Sequence, residues 1–312
     1  MSTDPTIAIL TGPTATGKSG LALEYTEHAR RKGLQLEIIN ADSLIVYREM
    51  DIGTAKPTPQ ELAHTPHHLV NIRNPDQPYT AGDFRRDVET SLKEIHARGA
   101  RALIVGGTGF YLKALPHGLW GAPKSPPEMR AELEKKENSE LHANLQAHDP
   151  DSANRIGPSA RYRLIRALEI IATTGMTPSE LEKTHKTNPV APHRLLVIDR
   201  TSEELNARIA QRSRAMLEQG LVKEAEKILK KFGPVRPLEA VGYTQTIDYL
   251  QNRPPQGRPM RPGTDGLLDE IELATRQLVK RQRTWFRGLD SAESFQLEKD
   301  RAKLWQALEA IY

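Results

Sequence analysis

Thr6-Ile-Ala-Ile-Leu-Thr-Gly-Pro-Thr-Ala-Thr-Gly-Lys-Ser19 is the stretch on which the fold turns. Its first five residues are a short β-branched apolar run that stops before a Gly-Pro, the pattern of a fully buried strand entering a loop. A helix is expected from about Lys18. Between strand and helix, Gly12, Pro13, Thr14, Ala15, Thr16, Gly17, Lys18 and Ser19 match the spacing G-x-x-x-x-G-K-[ST]. A strand before that spacing and a helix after it are the context in which it makes a phosphate cradle. The glycines let backbone N–H groups close on phosphate oxygens, and the helix N-terminus favours the anion. Lys18 adds a point charge, and Ser19 offers a ligand to Mg²⁺.

Two stretches further on repeat the strand pattern. Glu37-Ile-Ile-Asn-Ala-Asp42 and Arg101-Ala-Leu-Ile-Val-Gly106 each follow a helical stretch and each end in polar or Gly residues. Strands alternating with helices predict a parallel α/β sheet. Ligands in such sheets sit at the carboxyl ends of the strands, where Gly12, Asp42 and Gly106 fall. From about Trp120 the texture changes: Pro123, Pro126 and Pro127 mark a linker, and charged helices follow. Arg194-Leu-Leu-Val-Ile-Asp199 then returns the chain to the sheet. The expected architecture is an α/β, P-loop NTPase-like parallel sheet core (residues 1–119 and 194–312) with an inserted helical domain (120–193). Glu203 to Phe232 reads as one helix, Arg253 to Gly266 as a mobile loop, and Leu267 to Gly288 as a long helix ended by Gly.

Composition narrows the function. With 38% hydrophobic and 27% charged residues among 312, the chain is an ordinary globular protein rather than a disordered one. A net charge of +4 permits a polyanionic partner without requiring one. The lack of Cys removes disulfides, thiolate zinc sites and Cys nucleophiles, and suits a reducing cytoplasm. No secretory start precedes the first strand, and no run approaches the ~20 apolar residues of a membrane span.

Candidate side chains follow from position. The third strand ends in Gly106-Gly-Thr108, without the Mg²⁺-holding Asp that closes a later strand in P-loop NTPases. That weakens an NTPase, although some small-molecule kinases also lack it. Asp42, at the end of the second strand, suits a general base or metal ligand, and equally a cap of the next segment. In the helix after Glu203, Leu205, Ile209 and Met216 form one stripe on which Arg212 falls. An inward Arg suits the charge of a pyrophosphate or a structural ion pair with a core carboxylate. Near the C-terminus Arg276, Lys280, Arg283 and Arg287 share one helix face, opposite Leu267, Ile271, Ala274, Leu278 and Trp285. In the insertion, Arg163 and Arg166 share a face opposite Leu164, Leu168 and Ile171, beside Arg161 and Tyr162. Two basic faces on separate elements suit a folded RNA. His67 and His68 have no partners at metal-ligand spacing and read as structural.

With these pieces placed, nearly the whole chain resembles the tRNA dimethylallyltransferase (isopentenyltransferase) family. The resemblance is carried by the phosphate cradle, Ala41-Asp-Ser43, Val46-Tyr-Arg48, Met50-Asp-Ile-Gly-Thr-Ala-Lys-Pro57, Gly106-Gly-Thr-Gly-Phe-Tyr111, Arg163-Leu-Ile-Arg-Ala-Leu-Glu169 and Ala274-Thr-Arg-Gln-Leu-Val-Lys-Arg-Gln282. It implies that dimethylallyl diphosphate is held with Mg²⁺ while the exocyclic amine of the adenine 3′-adjacent to the anticodon attacks C1. Such a base must be flipped out of its stack. By the same resemblance Asp42 takes the amine proton, Thr108 positions the adenine and Arg212 stabilises the departing diphosphate. Contacts to the tRNA anticodon stem-loop are implied for Asp42, Ser43, Leu44, Ile45, Thr108, Arg130, Tyr162, Arg163, Leu164, Ile165, Arg166, Lys280, Arg283 and Arg287. A monomer is expected, free of membranes.

Two departures accompany it. Leu44-Ile45 stands where many members carry Gln, and Glu239 and Thr244 flank Gly242-Tyr243 where members often carry basic residues. The alternatives are an adenylate isopentenyltransferase acting on a free nucleotide, a small-molecule kinase, and a nucleotide-gated RNA-binding module.

Overall fold

The structure, a computed structural model, describes residues 6–118, 123, 125–184, 189–253, 261–289 and 291–312. The chain divides into two compact units, Met1–Pro116 with Pro189–Tyr312, and His117–Asn188. The second unit thus begins and ends earlier than the 120–193 that the sequence suggests. The chain is already tied into the first unit before Arg194: Val190 N donates to Leu115 O at 3.0 Å and Ile7 N to Pro192 O at 2.9 Å.

The first unit is built on six strands: β1 Ile7–Thr11, β2 Leu36–Asn40, β3 His67–His68, β4 Arg101–Val105, β5 His193–Asp199 and β6 Ala292–Gln296. They lie in the order β3-β2-β4-β1-β5-β6, every neighbouring pair parallel. This is a P-loop NTPase-like sheet, with β1 in its interior. Helices follow the strands: α1 Lys18–Arg31, α2 Pro59–His64, α3 Ala81–Ala97 and α4 Gly109–His117. The second unit holds α5 Pro127–Glu134, α6 Asn138–His148, α7 Pro150–Ile156, α8 Arg161–Thr174 and α9 Pro178–Thr184. After β5 come α10 Ser202–Gln219, α11 Leu221–Phe232, α12 Tyr243–Leu250, α13 Gly263–Arg287 and α14 Leu297–Glu309.

Alternation along the strands settles which face is covered by what. Ala8 and Leu10, Leu103 and Val105, and Leu196 and Ile198 pack with Leu21, Tyr25 and Ala29 of α1 and Leu304 and Leu308 of α14. The intervening Ile9, Ile39 and Ile104 are equally buried, and α3 packs on β2 and β4. Strands covered on both faces read as unbroken apolar runs, which is why the sequence reveals the central four. β6, Ala-Glu-Ser-Phe-Gln, buries only Phe295 and carries no such run.

Three expectations need correction. Glu203 to Phe232 is not one helix: Gly220 at φ 103° ends α10 in a left-handed cap and α11 starts afresh. The basic helix begins at Gly263, so the last residues of the expected mobile loop are its first turn, and Asp265 there complements the helix N-terminus. Residues 254–260 of that loop lie outside the described residues. Asp42 lies just beyond β2, which ends at Asn40.

The carboxyl ends of the strands approach too closely for side chains. A Cβ on Gly12, itself at φ 146°, meets Ile198 O at 2.0 Å, and one on Gly106 meets the Ala41 carbonyl carbon at 2.2 Å. Both obstacles are backbone and cannot swing aside. Gly106→Ala therefore pushes β4 from β2 at the point where Ala41 N donates to Val105 O at 2.7 Å. The expected loss is about 3 kcal/mol or more, read as a lowered midpoint in thermal or denaturant unfolding. A wild-type midpoint would mean that the strand ends yield.

Candidate active site

The residues between β1 and α1 form a loop drawn in on itself. Gly12, Ala15 and Gly17 have positive φ (146°, 64° and 92°), turning the chain so that Lys18 folds back, its Nζ donating to Gly12 O at 2.8 Å and Pro13 O at 2.7 Å. Thr16 Oγ1 donates to Pro13 O at 2.9 Å. The outer side of the loop is gripped by arginines from β5 onward. Arg200 Nε donates to Thr16 O at 2.8 Å, Arg208 Nε to Ala15 O at 2.7 Å, and Arg212 Nη1 to Thr14 Oγ1 at 3.4 Å. From α13, Gln282 Oε1 accepts from Thr14 N at 2.8 Å. Nothing in the sequence singles out Arg200, and Gln282 stands there only as the end of the motif running from Ala274 to Gln282, with no role attached. Arg208 was detectable, lying one helical turn before Arg212 on the same face.

Asp42 and Thr108 meet across the ends of β2 and β4. Asn40 Oδ1 accepts from Asp42 N, and its amide donates to Asp42 O and Leu69 O, at 3.0 to 3.1 Å. Asp42 Oδ1 accepts from Leu44 N at 2.9 Å, so the carboxylate does cap the next turn; among the described residues no donor engages Oδ2. Thr108 Oγ1 accepts from Ser43 N at 2.9 Å and lies 3.3 Å from Ser43 Oγ. Thr108 therefore anchors the Asp42-Ser43 turn. Phe110, two residues on in the same motif, is 64% exposed, a placement the sequence does not show.

The electrostatics join these parts. Burial lowers the Lys18 ammonium to about 8, against the attraction of Asp42, while Arg212 adds repulsion. Burial also lowers Arg212, again against the pull of Asp42 and with Arg208 as a like charge. Among the described residues no carboxylate pairs with Arg212, so the structural ion pair that the sequence allowed is not formed. A partly desolvated Lys and Arg beside one carboxylate make a site that gains from binding an anion.

The basic surfaces differ from expectation. Arg283 is not on a solvated ridge: it donates to Asp199 at 2.8 and 3.0 Å and to Arg200 O at 2.5 Å. Arg276 pairs with Glu272 at 3.0 Å. Lys280, Arg281 and Arg287 remain exposed. The apolar side shifts likewise, with Leu267, Ile271, Val279 and Phe286 buried, while Ala274 and Leu278 are half-buried. Trp285 backs α4, and a Cβ on Gly109 would lie 2.8 Å from its ring.

Within the second unit, Leu164 and Ile165 are 0% and 2% exposed and pack with Leu141, Leu145 and Leu168. Their side chains hold the unit's core instead of touching RNA. Arg130 and Arg166 both reach the buried Glu169, at 3.2 and 3.3 Å. Arg163 and Tyr162 are exposed, and Arg130 lies over the Tyr162 ring at 5.3 Å. In the first unit Ile45 is buried too, leaving Ser43 and Leu44 the more accessible.

The Asp-Ile-Gly-Thr-Ala-Lys motif proves to be a clamp. The N–H groups of Asp51, Ile52 and Gly53 donate to Glu224 at 2.8 to 3.0 Å, and Tyr243 OH donates to the same carboxylate at 2.6 Å. Lys56 bonds Tyr47 O, Asp51 and Asn71 at 2.6 to 2.7 Å. Gly53 is obligatory because a Cβ would lie 2.5 Å from the Tyr243 ring. His68, read as structural, is bonded at 2.6 Å to Glu37, which Arg98 also holds.

Known proteins resemble this chain in sequence and in fold. The family described as IPP transferase matches residues 45–289. The chain is 39% identical over 297 residues to a tRNA dimethylallyltransferase of Methylobacillus flagellatus, covering 92% of this chain and 90% of that one. It is 40% identical over 302 residues to one of Chromobacterium violaceum, covering 93% and 89%. The full-length tRNA isopentenylpyrophosphate transferase of Bacillus halodurans superposes with a TM-score of 0.68 at 30% identity, over 99% of this chain and 97% of that one. A eukaryotic dimethylallyltransferase, seen in crystallographic snapshots acting on tRNA, superposes with a TM-score of 0.80 at 25% identity, over 97% and 77%.

Proposed function

This chain belongs to the IPP transferase family, and we propose that it transfers a dimethylallyl group from dimethylallyl diphosphate to the exocyclic amine of the adenine 3′-adjacent to the anticodon in tRNA. The observation that carries the site assignment is the phosphate loop, with Lys18 Nζ folded onto Gly12 O and Pro13 O and Arg212 on Thr14 Oγ1, near Asp42, whose Oδ2 has no donor among the described residues. In the reaction the amine nitrogen forms a bond to C1 as the C1–oxygen bond breaks. The amine proton passes to Asp42 Oδ2, and the diphosphate leaves against the loop N–H groups, Lys18 and Arg212. Thr108 holds Ser43, and through it the base, at the acceptor side. A Mg²⁺ shared with the substrate suits the residues present. Ser19 is exposed in the first turn of α1, and Mg²⁺ is commonly held by few protein oxygens plus phosphates. Bound there, it would neutralise diphosphate charge.

A small-molecule kinase would use the same loop, but Asp199, the carboxylate at the end of β5, is engaged by Nε and Nη2 of Arg283. Among the described residues no helix is long and apolar enough to cross a membrane; with a chain free of Cys, this supports a cytoplasmic site of action. Incubating the protein with Mg²⁺, radiolabelled dimethylallyl diphosphate and either unmodified tRNA or AMP tests the assignment. Label enters tRNA alone; label in AMP alone means a free-nucleotide enzyme, and ATP consumption without label a kinase.

Two further outcomes are expected. Lys18 binds a diphosphate as the ammonium. As pH rises through about 8 the unliganded side chain loses its proton. A phosphate partner raises the pKa of the bound form, so affinity for inorganic pyrophosphate is flat below pH 8. Above it, affinity falls by up to about tenfold per pH unit once the ligand's own titration is subtracted. The sign for stability is opposite: the unfolded chain holds more protons than the folded one between pH 8 and 10.5, so Lys18 disfavours folding below pH 8 and is relieved above it. Pyrophosphate affinity independent of pH would remove Lys18 from the site. Phe110 offers its exposed face to an unstacked base, a contact worth roughly 1–3 kcal/mol. Phe110→Ala should raise KM for tRNA about tenfold, leaving pyrophosphate affinity unchanged.

A further inference from the structure

Gln282 belongs to neither the phosphate loop nor the acceptor turn, yet its carboxamide bonds the loop and the residue before Thr108, which anchors the turn. Its Oε1 accepts from Thr14 N at 2.8 Å, and its Nε2 donates to Gly107 O at 3.3 Å. Gly107 immediately precedes Thr108, which holds Ser43 beside Asp42. Thr14 is held a second time, at its hydroxyl, by Arg212. The space is close: a Cβ on Gly107 would lie 3.2 Å from Gly12 O, 3.4 Å from Gln282 Nε2 and 3.6 Å from Lys18 Nζ.

We propose that Gln282 is a positioning residue of the transfer reaction, its side-chain amide setting the separation between the diphosphate loop and the acceptor turn. The inference rests on the transferase reading of the site. Only a side chain with an acceptor and a donor on one carbon makes this bridge. Glu has no N–H for Gly107 O, Lys has no acceptor for Thr14 N, and Asn is one methylene short. By claiming the Thr14 N–H, Gln282 also fixes the peptide that joins Pro13 to Thr14. It thereby decides which N–H groups of the loop remain for phosphate oxygens. Without it the leaving group and the amine can each be bound and yet be misaligned, and misplacement of about 1 Å costs on the order of 10²-fold in rate. α13 carries Gln282 on its inner side and the exposed Lys280 and Arg287, so the residue sits on the element that bears those cations.

The test is Gln282→Met, which keeps the length and apolar contacts and loses both hydrogen bonds, with Gln282→Glu, which keeps only the bond to Thr14 N. Inorganic pyrophosphate binding is measured first, because it needs no turnover. Gln282→Met should raise the dissociation constant about three- to tenfold, as expected for a lost loop hydrogen bond. Turnover at saturating dimethylallyl diphosphate and tRNA should fall about 10- to 100-fold in both variants, with tRNA affinity unchanged. Combined with Thr108→Ala, Gln282→Met should cost less than the product of the two single effects. Wild-type turnover, or a loss explained wholly by weaker tRNA binding or a lower melting temperature, overturns the proposal. If the wild-type protein labels no tRNA, the transferase reading fails instead, and the pyrophosphate constant still decides whether Gln282 holds the loop.

Discussion

Asp42→Asn should lower turnover by about 10²–10⁴-fold, the contribution of a positioned general base, while tRNA and pyrophosphate still bind. The substitution is nearly isosteric, and what holds the turn survives it. The side-chain oxygen that accepts from Leu44 N at 2.9 Å is retained, and Asn40 and Thr108 bond the neighbouring backbone and Ser43 rather than the carboxylate. What is lost is the second oxygen's ability to take a proton. The charge has a separate effect. Asp42 raises the pKa of Lys18 against burial, so in Asp42→Asn the Lys18 ammonium gives up its proton at lower pH. The alkaline fall in pyrophosphate affinity should move below pH 8, although affinity near pH 7 is kept. Asp42→Ala differs by releasing Leu44 N and should cost stability as well. Turnover of Asp42→Asn within threefold of wild type would remove Asp42 from the role of base.

How much of this was visible beforehand depends on the range of the physics involved. The phosphate loop was legible because its geometry is local: a buried strand, two glycines and a helix start within fourteen residues fix the positive-φ turns at Gly12 and Gly17. The central strands were legible because burial on both faces leaves an apolar run. Free cations are overstated by the sequence because a helical face counts charges and not their partners. Arg283 lies on the expected face, but its partner Asp199 is 84 positions away. Arg130 and Arg166 look like a surface until Glu169 is seen to be buried between them. The family motif misled at Leu164 and Ile165, since a conspicuous string mixes residues that face a ligand with residues that hold the helix in place. The clamp of Asp51, Ile52 and Gly53 on Glu224 could not be read at all, because three backbone donors converging on one distant carboxylate leave no pattern in side-chain identity.

Arg212→Ala should lower turnover by about 10²–10³-fold, the scale found when one preorganised donor to a developing anion is removed. Its position on α10 makes this more than the loss of a surface charge. Arg212 shares the inner side of the helix with Leu205, Ile209 and Met216, has Thr14 Oγ1 at 3.4 Å, and is partly desolvated with no carboxylate partner among the described residues. A partly desolvated cation held by one hydroxyl is costly in the free protein and is repaid when a diphosphate arrives, most fully as the C1–oxygen bond breaks and charge gathers on the leaving group. Removing it should therefore spare or raise the melting temperature while turnover collapses, a combination that a packing role does not give. A second signature follows from the repulsion between Arg212 and Lys18. Without the guanidinium, Lys18 keeps its proton to higher pH, so the alkaline limb moves up, opposite to its shift in Asp42→Asn. Arg212→Lys restores the charge but not the planar pair of donors and should recover only part of the rate. If Arg212→Ala turns over normally, or if its alkaline limb does not move, the diphosphate leaves without help from this residue.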